Sequence, residues 1–453
     1  MPTLRTVTLG CKVNQYETEY LRQGFLRLGY QDAENGEPAD LCIFNTCTVT
    51  AQADSECRKI LRRLARENPH AEIIVMGCFA TKAAEEIRSL PGVSEVLTDK
   101  RQMGDLLARR GLVDIPTGIS GFAKRHRAYV KIQDGCVFPC SYCIIPRVRG
   151  RLWSRPPREV LDEIIQLVDN GYREIVLTGI HLGLYGHGPD DTDLPHLAGL
   201  VEAIIDSRSG FRVRLSSLEV NEVTDSLLDL MAASPERICP HLHIPLQSGS
   251  NRVLKRMRRR ADVGYFMERC ALVREKLPAP ALTTDVMVGF PGETDEDFEA
   301  TCRVVETVGF AKVHIFRFSP REGTPAAEFP DQIPEKTKKD RARTLDAVAE
   351  KTRRQYINSL FGRQLQVLWE DLASAPGDNS PQWLLGMSDR YIPVRALASR
   401  GKQGELDGVT VEGFDGTFLL DRDLFAVTSP PEMCQNNAQV GCVGCNFDDF
   451  PTS

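Results

Sequence analysis

Apolar positions along the chain fall into short runs of strand length separated by helical repeats, and the alternation changes character twice. Up to residue 118, the runs Thr3–Leu9, Leu41–Phe44, Ile73–Met76 and Glu95–Leu97 predict strands. Repeats of helical period at Glu17–Leu28, Ala51–Glu67, Thr81–Ser89 and Met103–Arg110 predict helices between and after them. Residues 1–118 therefore read as a doubly wound parallel α/β domain. Alternation resumes over residues 122–330, with strands predicted at Tyr129–Gln133, Glu174–Thr178, Arg212–Leu215, His241–Ile244, Thr283–Val288 and Lys312–Phe316. Helices are predicted at Pro157–Asn170, Leu194–Ser207, Asp225–Ala233, Tyr265–Lys276 and Glu296–Val308. Six βα units are too few for a closed eight-stranded barrel. They predict an open six-stranded partial barrel whose ligand site lies at the C-terminal strand ends. Residues 331–360 have the spacing of a linker helix. Residues 361–428 break into short β-like runs (Gln364–Glu370, Gln382–Met387, Tyr391–Ala396, Gly408–Val411) and predict a small all-β domain. Residues 429–453 form a cysteine-containing tail without a periodic apolar face.

Composition limits the classes open to this chain. At 453 residues, 42% apolar and 26% charged, it has material for about three globular domains. No apolar run approaches the ~20 residues that span a bilayer, so no membrane association is expected. The stretch Met1–Arg5 lacks the apolar core of a secretory signal. Fourteen cysteines then point to thiols and metal ligands in a reducing cytoplasm rather than to disulfides. Net charge is −6, which does not suggest a nucleic-acid partner. Basic runs do: Lys124–Arg127, then Arg147, Arg149, Arg151 and Arg155, then Arg252–Arg260. They fit a large anionic substrate, or the solvated faces that such runs usually form.

The densest chemistry follows the first barrel strand. Cys136, Cys140 and Cys143 stand at C-x3-C-x2-C spacing. Three thiolates in so short a loop can ligate three irons of a cubane cluster and leave the fourth open to a substrate. The alternatives are a zinc knuckle or unrelated thiols, although no second close pair or nearby His follows. Cys11, Cys47 and Cys78 each lie just beyond one of the first three strands. In a parallel sheet those ends share one edge, so a second triad is expected there. Cys42, Cys57, Cys239, Cys270 and Cys302 read as core. The loops after later barrel strands carry Gly179, then Ser216, Ser217 and Glu219, then Gln247 and Ser248, then Gly289 and Glu293. Small and polar residues there can approach a nucleoside and bind hydroxyl or ammonium groups, but ordinary βα turns favour the same types. The glycines at 183, 186 and 188 lack the strand–helix setting of a phosphate loop.

The cysteine spacing resembles the signature of radical S-adenosylmethionine (SAM) enzymes. With both triads placed, residues 3–425 resemble the methylthiotransferases of that superfamily, in the order N-terminal domain, radical SAM barrel, TRAM domain. The segments Gly10–Glu19, Cys143–Pro146 and Arg149–Arg151 are similar to the branch that methylthiolates N6-threonylcarbamoyladenosine beside the anticodon of tRNA. The resemblance implies two 4Fe-4S clusters, one held by Cys136, Cys140 and Cys143 and an auxiliary one by Cys11, Cys47 and Cys78. It implies SAM as cofactor, bound by the loop residues named above, with tRNA as substrate. A flavodoxin- or ferredoxin-like electron donor and a sulfur source are implied as partners. Methylthiolation of isopentenyladenosine or of a ribosomal protein is the alternative within the family. A non-catalytic iron–sulfur electron carrier or sensor is the alternative outside it. Two features depart from the pattern. The TRAM-like segment is acidic, and the tail adds Cys434, Cys442 and Cys445, which read as incidental thiols or a third metal site. Truncation after Thr428 should leave iron content and activity unchanged; a metal lost with the tail would show that its thiols are ligands.

Overall fold

The computed structural model describes residues 1–34, 36–122, 125–374 and 382–428, so the cysteine-containing tail lies outside the described residues. The first unit is a five-stranded parallel sheet of β1 (Thr3–Thr8), β2 (Gln31–Asp32), β3 (Leu41–Thr46), β4 (Glu72–Gly77) and β5 (Val93–Leu97). Its order is β2-β1-β3-β4-β5, a doubly wound arrangement. Its helices are α1 (Lys12–Arg27), α2 (Ala51–Glu67), the short α3 (Cys78–Lys82) and α4 (Ala84–Arg88), and α5 (Met103–Arg109). Central β3 is buried at all six positions. Helix α2 starts where the Thr50 side chain accepts from Ala53 N at 3.1 Å, and it buries Cys57, Ile60, Leu61 and Leu64 along one face. The exposed, polar β2 carries no apolar signal. It forms because its backbone pairs with Thr3 and Leu4.

In the second unit, β6 (Arg127–Lys131) begins two residues earlier than the sequence pattern suggests. Gln133–Asp134 instead makes a two-residue strand, β7, antiparallel to β8 (Trp153–Ser154). After α6 (Ile145–Val148) and α7 (Pro157–Asp169) come β9 (Glu174–Thr178), α8 (Leu197–Ser207), β10 (Arg212–Leu215) and α9 (Asp225–Ala233). β11 (His241–His243), α10 (Asn251–Arg256), α11 (Val263–Lys276), β12 (Ala281–Val288), α12 (Asp295–Val308) and β13 (Lys312–Arg317) complete the unit. Six parallel strands make an open partial barrel, in two ladders joined by the single bridges Val213↔Ile238 and Ser217↔His243. Pro240 and Pro245 flank β11 and have no N–H to extend that seam.

Strand alternation turns Val130, Ile175, Leu177, Val213, Leu215, Leu242 and Val286 into the core. The opposite, concave face receives Lys131, Glu174, Arg212, Arg214, His241, His243, Asp285 and Lys312. The lumen of this barrel is therefore polar.

Helix α13 (Glu335–Asn358) leads to a closed barrel of β14 (Gln364–Ser374), β15 (Gln382–Ser388), β16 (Pro393–Leu397), β17 (Leu406–Phe414) and β18 (Leu419–Asp421), followed by α14 (Arg422–Thr428). This barrel caps the N-terminal ends of the six strands. Arg212 donates to the carbonyls of Gln366 and Met387 at 2.8 and 3.0 Å, and Arg214 to those of Asp389 and Ser388 at 3.0 and 2.9 Å. Both guanidiniums are held by Glu174, at 2.7 and 2.8 Å through their Nε atoms.

Glu174→Ala would leave two buried guanidiniums without their counter-charge, a loss of about 3–5 kcal/mol. Arg303→Ala, which removes an exposed pair with Glu299, should cost less than about 0.5 kcal/mol. Denaturant midpoints followed by the fluorescence of Trp369 and Trp383, both in the C-terminal barrel, read the difference. Equal midpoints would mean that Glu174 does not anchor that barrel.

Candidate functional site

Cys11 caps the N-terminus of α1 directly after β1, Cys47 follows β3, and Cys78 opens α3 directly after β4. Three neighbouring strands thus deliver three thiols to one sheet edge. Two tight glycines make the approach possible. A Cβ on Gly10 would sit 3.0 Å from Cys47 Cβ, and one on Gly77 would sit 2.3 Å from the Thr46 carbonyl oxygen. Both glycines have positive φ, near 100°.

Cys136, Cys140 and Cys143 lie in the loop between β7 and α6. Cys143 N donates to the Cys140 carbonyl at 3.1 Å, and Cys136 N to that of Arg149 at 3.1 Å, which folds the loop back on itself. Its far side is tied down by Ser141, whose N and Oγ donate to the Met257 and Arg256 carbonyls.

The first triad touches the segment that follows the cysteine loop across the domain boundary. Cys78 packs with Ile144, Ile145 and Val148 of the cysteine loop and α6. Beside this contact, buried Arg149 donates to Glu17 at 2.8 and 2.7 Å, to Asp134 at 3.0 and 2.9 Å and to Asn14 at 2.9 Å. Its Nε lies 3.3 Å from Cys78 Sγ. Lys131 completes the cluster, with Glu17 at 2.7 Å and with Asp134. Burial opposes ionisation of Glu17, but Arg149 and Lys131 outweigh it and hold the carboxyl at about 2. A second buried clamp stands beyond β13. There Arg321 donates to Thr48 Oγ1 at 2.7 Å and to both Asp54 oxygens at 3.1 Å, right beside Cys47.

Three thiols at each site are the soft donor set that an iron–sulfur cluster takes, each thiolate on its own iron. Burial pushes Cys47 up to about 11 and Cys143 up to about 12. Burial also raises Cys11 and Cys140, against the pull of Arg149 and Arg259. Thiols so reluctant to ionise become thiolates when a metal supplies the charge.

The loop residues named from sequence separate into two groups. Ser216 has a buried Oγ with no partner among the described residues, and Gln247 holds a strained backbone at φ 65 while bridging to β12. Gly179 packs on Gln133, whose amide binds the Asp134 and Gly135 carbonyls beneath the cysteine loop. Ser217 bridges to His243, and Glu219 accepts from Arg259 at 2.8 Å. These five lie just beyond the C-terminal ends of β9, β10 and β11. The others are engaged with neighbouring groups. Ser248 Oγ accepts from Ser250 N at 3.2 Å, Gly289 N donates to Glu293 at 2.7 Å, and Glu293 is paired with Arg341 at 2.6 Å.

Sequence reasoning missed the links between these groups. His181 sits 3.7 Å from Cys136 Sγ; burial lowers it, but its contacts with Cys136 and Glu222 win and raise it to about 9. Arg259 lies against Cys140 and Tyr142. No local motif announces either. Most of the basic runs turn out to be structural: Arg252, Arg256, Arg259 and Arg260 pair with Asp297, Asp331, Glu219 and Glu222, and Arg155 with Glu163. The largely buried Arg155 and Arg259 need their carboxylates, and the partners of the Arg252–Arg260 run lie 38 to 75 residues away. A separate cavity of about 520 Å³, lined by Glu19, Arg22, Gln23, Arg125, His126 and Glu370 among others, opens away from both triads.

Residues 130–305 match the radical SAM superfamily, and residues 3–98 match a family described only as Uncharacterized protein family UPF0004. The chain is 38% identical over 411 residues to the threonylcarbamoyladenosine tRNA methylthiotransferase MtaB of Bacillus subtilis, covering 87% of this chain and 90% of the relative. The protein of the same name from Chlamydia pneumoniae is 42% identical, with 92% and 98% covered. A tRNA-2-methylthio-N(6)-dimethylallyladenosine synthase of Corynebacterium urealyticum is 37% identical, with 82% and 72% covered. Among solved structures, the radical SAM methyltransferase TsrM from Kitasatospora setae superposes with a TM-score of 0.53 at 14% identity, over 72% of this chain and 77% of that one. That likeness concerns the fold alone.

The depressed Glu17 carboxyl makes the domain contact pH-dependent. Its folded value lies below the ordinary 4.5, so it contributes stability above pH 4.5 that is lost as pH falls towards 2. Arg149→Met should move that acid transition upward and cost about 3–5 kcal/mol at neutral pH. Trp153, whose ring lies 5.4 Å from Lys131 Nζ, supplies the fluorescence signal. An unchanged acid transition in the variant would remove Arg149 as the cause.

Proposed function

The chain belongs to the radical SAM methylthiotransferase family, and from that premise we propose that it transfers a methylthio group to C2 of N6-threonylcarbamoyladenosine at position 37 of tRNA. Membership of an enzyme family removes the alternative of a non-catalytic iron–sulfur carrier. The observation that carries the reading is the packing of Cys78, one of the first triad, on the segment directly after the second triad, in a chain whose relatives modify tRNA adenosines. In this reading Cys136, Cys140 and Cys143 hold one 4Fe-4S cluster and Cys11, Cys47 and Cys78 hold a second. A cluster held by Cys136, Cys140 and Cys143 would offer the one-electron chemistry that SAM cleavage needs, and one held by Cys11, Cys47 and Cys78 would offer a sulfur site.

The chain's own residues orient and shield. Arg149, Glu17 and Asp134 tie the first domain to the loop that follows Cys143. Ile144, Ile145 and Val148 exclude water between them. Ser216 and Gln247, with Gly179, Ser217 and Glu219 beside them, form the wall that SAM would occupy. Ser248, Gly289 and Glu293 brace that wall from behind. Arg259 and Glu219 neutralise each other next to Cys140. The remaining partners we infer are tRNA, a small flavodoxin- or ferredoxin-like reductant, and a sulfur source.

Simultaneous Cys11→Ala, Cys47→Ala and Cys78→Ala substitution separates the two roles. Iron should fall from about eight to about four per chain. Release of 5′-deoxyadenosine should remain measurable while the methylthio nucleoside disappears, read by mass spectrometry of tRNA digests with SAM and a strong reductant present. Product formed at the wild-type rate would show that this triad does not carry sulfur. Dimethylallyladenosine as the modified base would replace the proposed substrate but keep the chemistry.

A further inference from the structure

Among the described cationic groups facing the barrel lumen, two have no carboxylate within ion-pair distance. Arg127 is paired with Glu370, and Arg212 and Arg214 are paired with Glu174. Asp285 lies 3.3 Å from His243 Nε2. Lys12 is 7% exposed, the residue directly after Cys11, yet among the described residues no carboxylate lies within ion-pair distance of it. Its Nζ instead sits 5.9 Å from the ring of Tyr391, which the C-terminal barrel presents to the floor of the lumen at φ 61. Lys312, at the start of β13, is likewise without an ion pair among the described residues and opens to solvent. An ammonium set in the lumen without a carboxylate is placed to receive an anion that arrives with a ligand.

The geometry of β13 indicates how such a ligand would lie. Val313 and Ile315 pack into the core, so Lys312, His314 and Phe316 share the lumen face. Phe316 is 42% exposed near the end of the strand that faces the cysteines. From Phe316 down to Lys312 is four strand residues, about 13 Å. That is comparable to an adenine stacked at Phe316 with an extended N6 arm reaching the floor. His243 and His314, with rings 5.7 Å apart, line the way. A threonylcarbamoyl arm ends in a carboxylate, whereas a dimethylallyl arm is wholly apolar.

We propose that Lys12, seconded by Lys312, is the carboxylate subsite that selects a threonylcarbamoyl arm over a dimethylallyl arm. The assignment rests on the substrate reading above and adds the residues that enforce it. It also puts the selecting charge one residue from a ligand of the sulfur-delivering triad, so that only a seated arm brings the base to that triad.

The test uses the complete iron-loaded enzyme without SAM and measures affinity by fluorescence anisotropy. Probes are an anticodon stem-loop RNA carrying N6-threonylcarbamoyladenosine at position 37, and the same RNA with that carboxylate converted to a carboxamide. Wild-type enzyme should bind the acid about 10–100-fold more tightly than the amide. Lys12→Gln should abolish most of that preference while changing amide affinity by no more than about twofold. Lys12→Arg should restore part of it, and Lys312→Gln should reduce it by a smaller factor. Equal wild-type affinity for acid and amide overturns the subsite, as does a Lys12→Gln variant that weakens both probes equally. Should Lys12→Gln fail to hold its iron, the wild-type ratio and Lys312→Gln still decide. A parallel turnover assay with SAM added separates the two claims. Methylthiolation of a dimethylallyladenosine RNA in place of the threonylcarbamoyl RNA refutes the substrate reading. Methylthiolation of the threonylcarbamoyl RNA without an acid preference refutes only the subsite.

Discussion

A single buried guanidinium holds the catalytic architecture together. Arg149 comes from the loop that closes the Cys136–Cys143 segment, yet its partners Glu17 and Asn14 belong to the first domain and Cys78 is one of that domain's triad. Two carboxylates and two cations, Arg149 and Lys131, share a space withdrawn from water, and each satisfies the others. Such a network contributes little net stability over an apolar core, but losing one member exposes the rest to the full cost of an unpaired buried charge. It therefore acts as a register pin. The first domain docks on the barrel with Cys78 against Ile144 and Val148, and a shift of one helical turn would strand the ions.

The other half of the design is the polar lumen. A closed eight-stranded barrel fills its interior with apolar side chains, whereas these six strands turn their apolar alternates outward to the helices and leave charged residues inside. That arrangement needs closure at both ends. The C-terminal barrel supplies the floor, accepting hydrogen bonds from Arg212 and Arg214 through main-chain carbonyls, so the contact depends on backbone position more than on its side chains. The first domain supplies the roof, clamped by Arg149 on the β6 side and by Arg321 on the β13 side. The space between is open along β13, where Lys312 and Phe316 remain exposed. The acidity of the C-terminal barrel, puzzling in an RNA-modifying enzyme, has a partial account in this. Glu370 is spent on Arg127, and Asp389 pairs with Arg390, whose guanidinium reaches the Pro278 and Ala279 carbonyls.

Much of the fold was legible because period and burial coincide. Helices Ala51–Glu67 and Asp225–Ala233 and strands Glu174–Thr178 and Arg212–Leu215 fall where the pattern predicts them to the residue. Gln31–Asp32 and Leu419–Asp421 were not foreseen, since a strand of two or three residues has too few positions to show a period. The cysteines at strand ends were readable because topology converts sequence order into a shared edge. The ion pairs were not. Nothing near Arg252–Arg260 in the chain announces Asp297, Asp331, Glu219 or Glu222, so the tying of four arginines of the run to carboxylates was not legible. Lys12 was legible as part of the Gly10–Glu19 segment that resembles one branch of the family, but its place in the lumen without a carboxylate was not.

The central claim is that these two triads, locked in register, methylthiolate one particular tRNA base. Nucleoside mass spectrometry of total tRNA from cells lacking the gene, with and without the gene restored, tests it most directly. The account predicts that 2-methylthio-N6-threonylcarbamoyladenosine vanishes, that N6-threonylcarbamoyladenosine accumulates in its place, and that both changes reverse on restoration. An unchanged level of that nucleoside, with loss of the 2-methylthio derivative of dimethylallyladenosine or of no nucleoside at all, would contradict it.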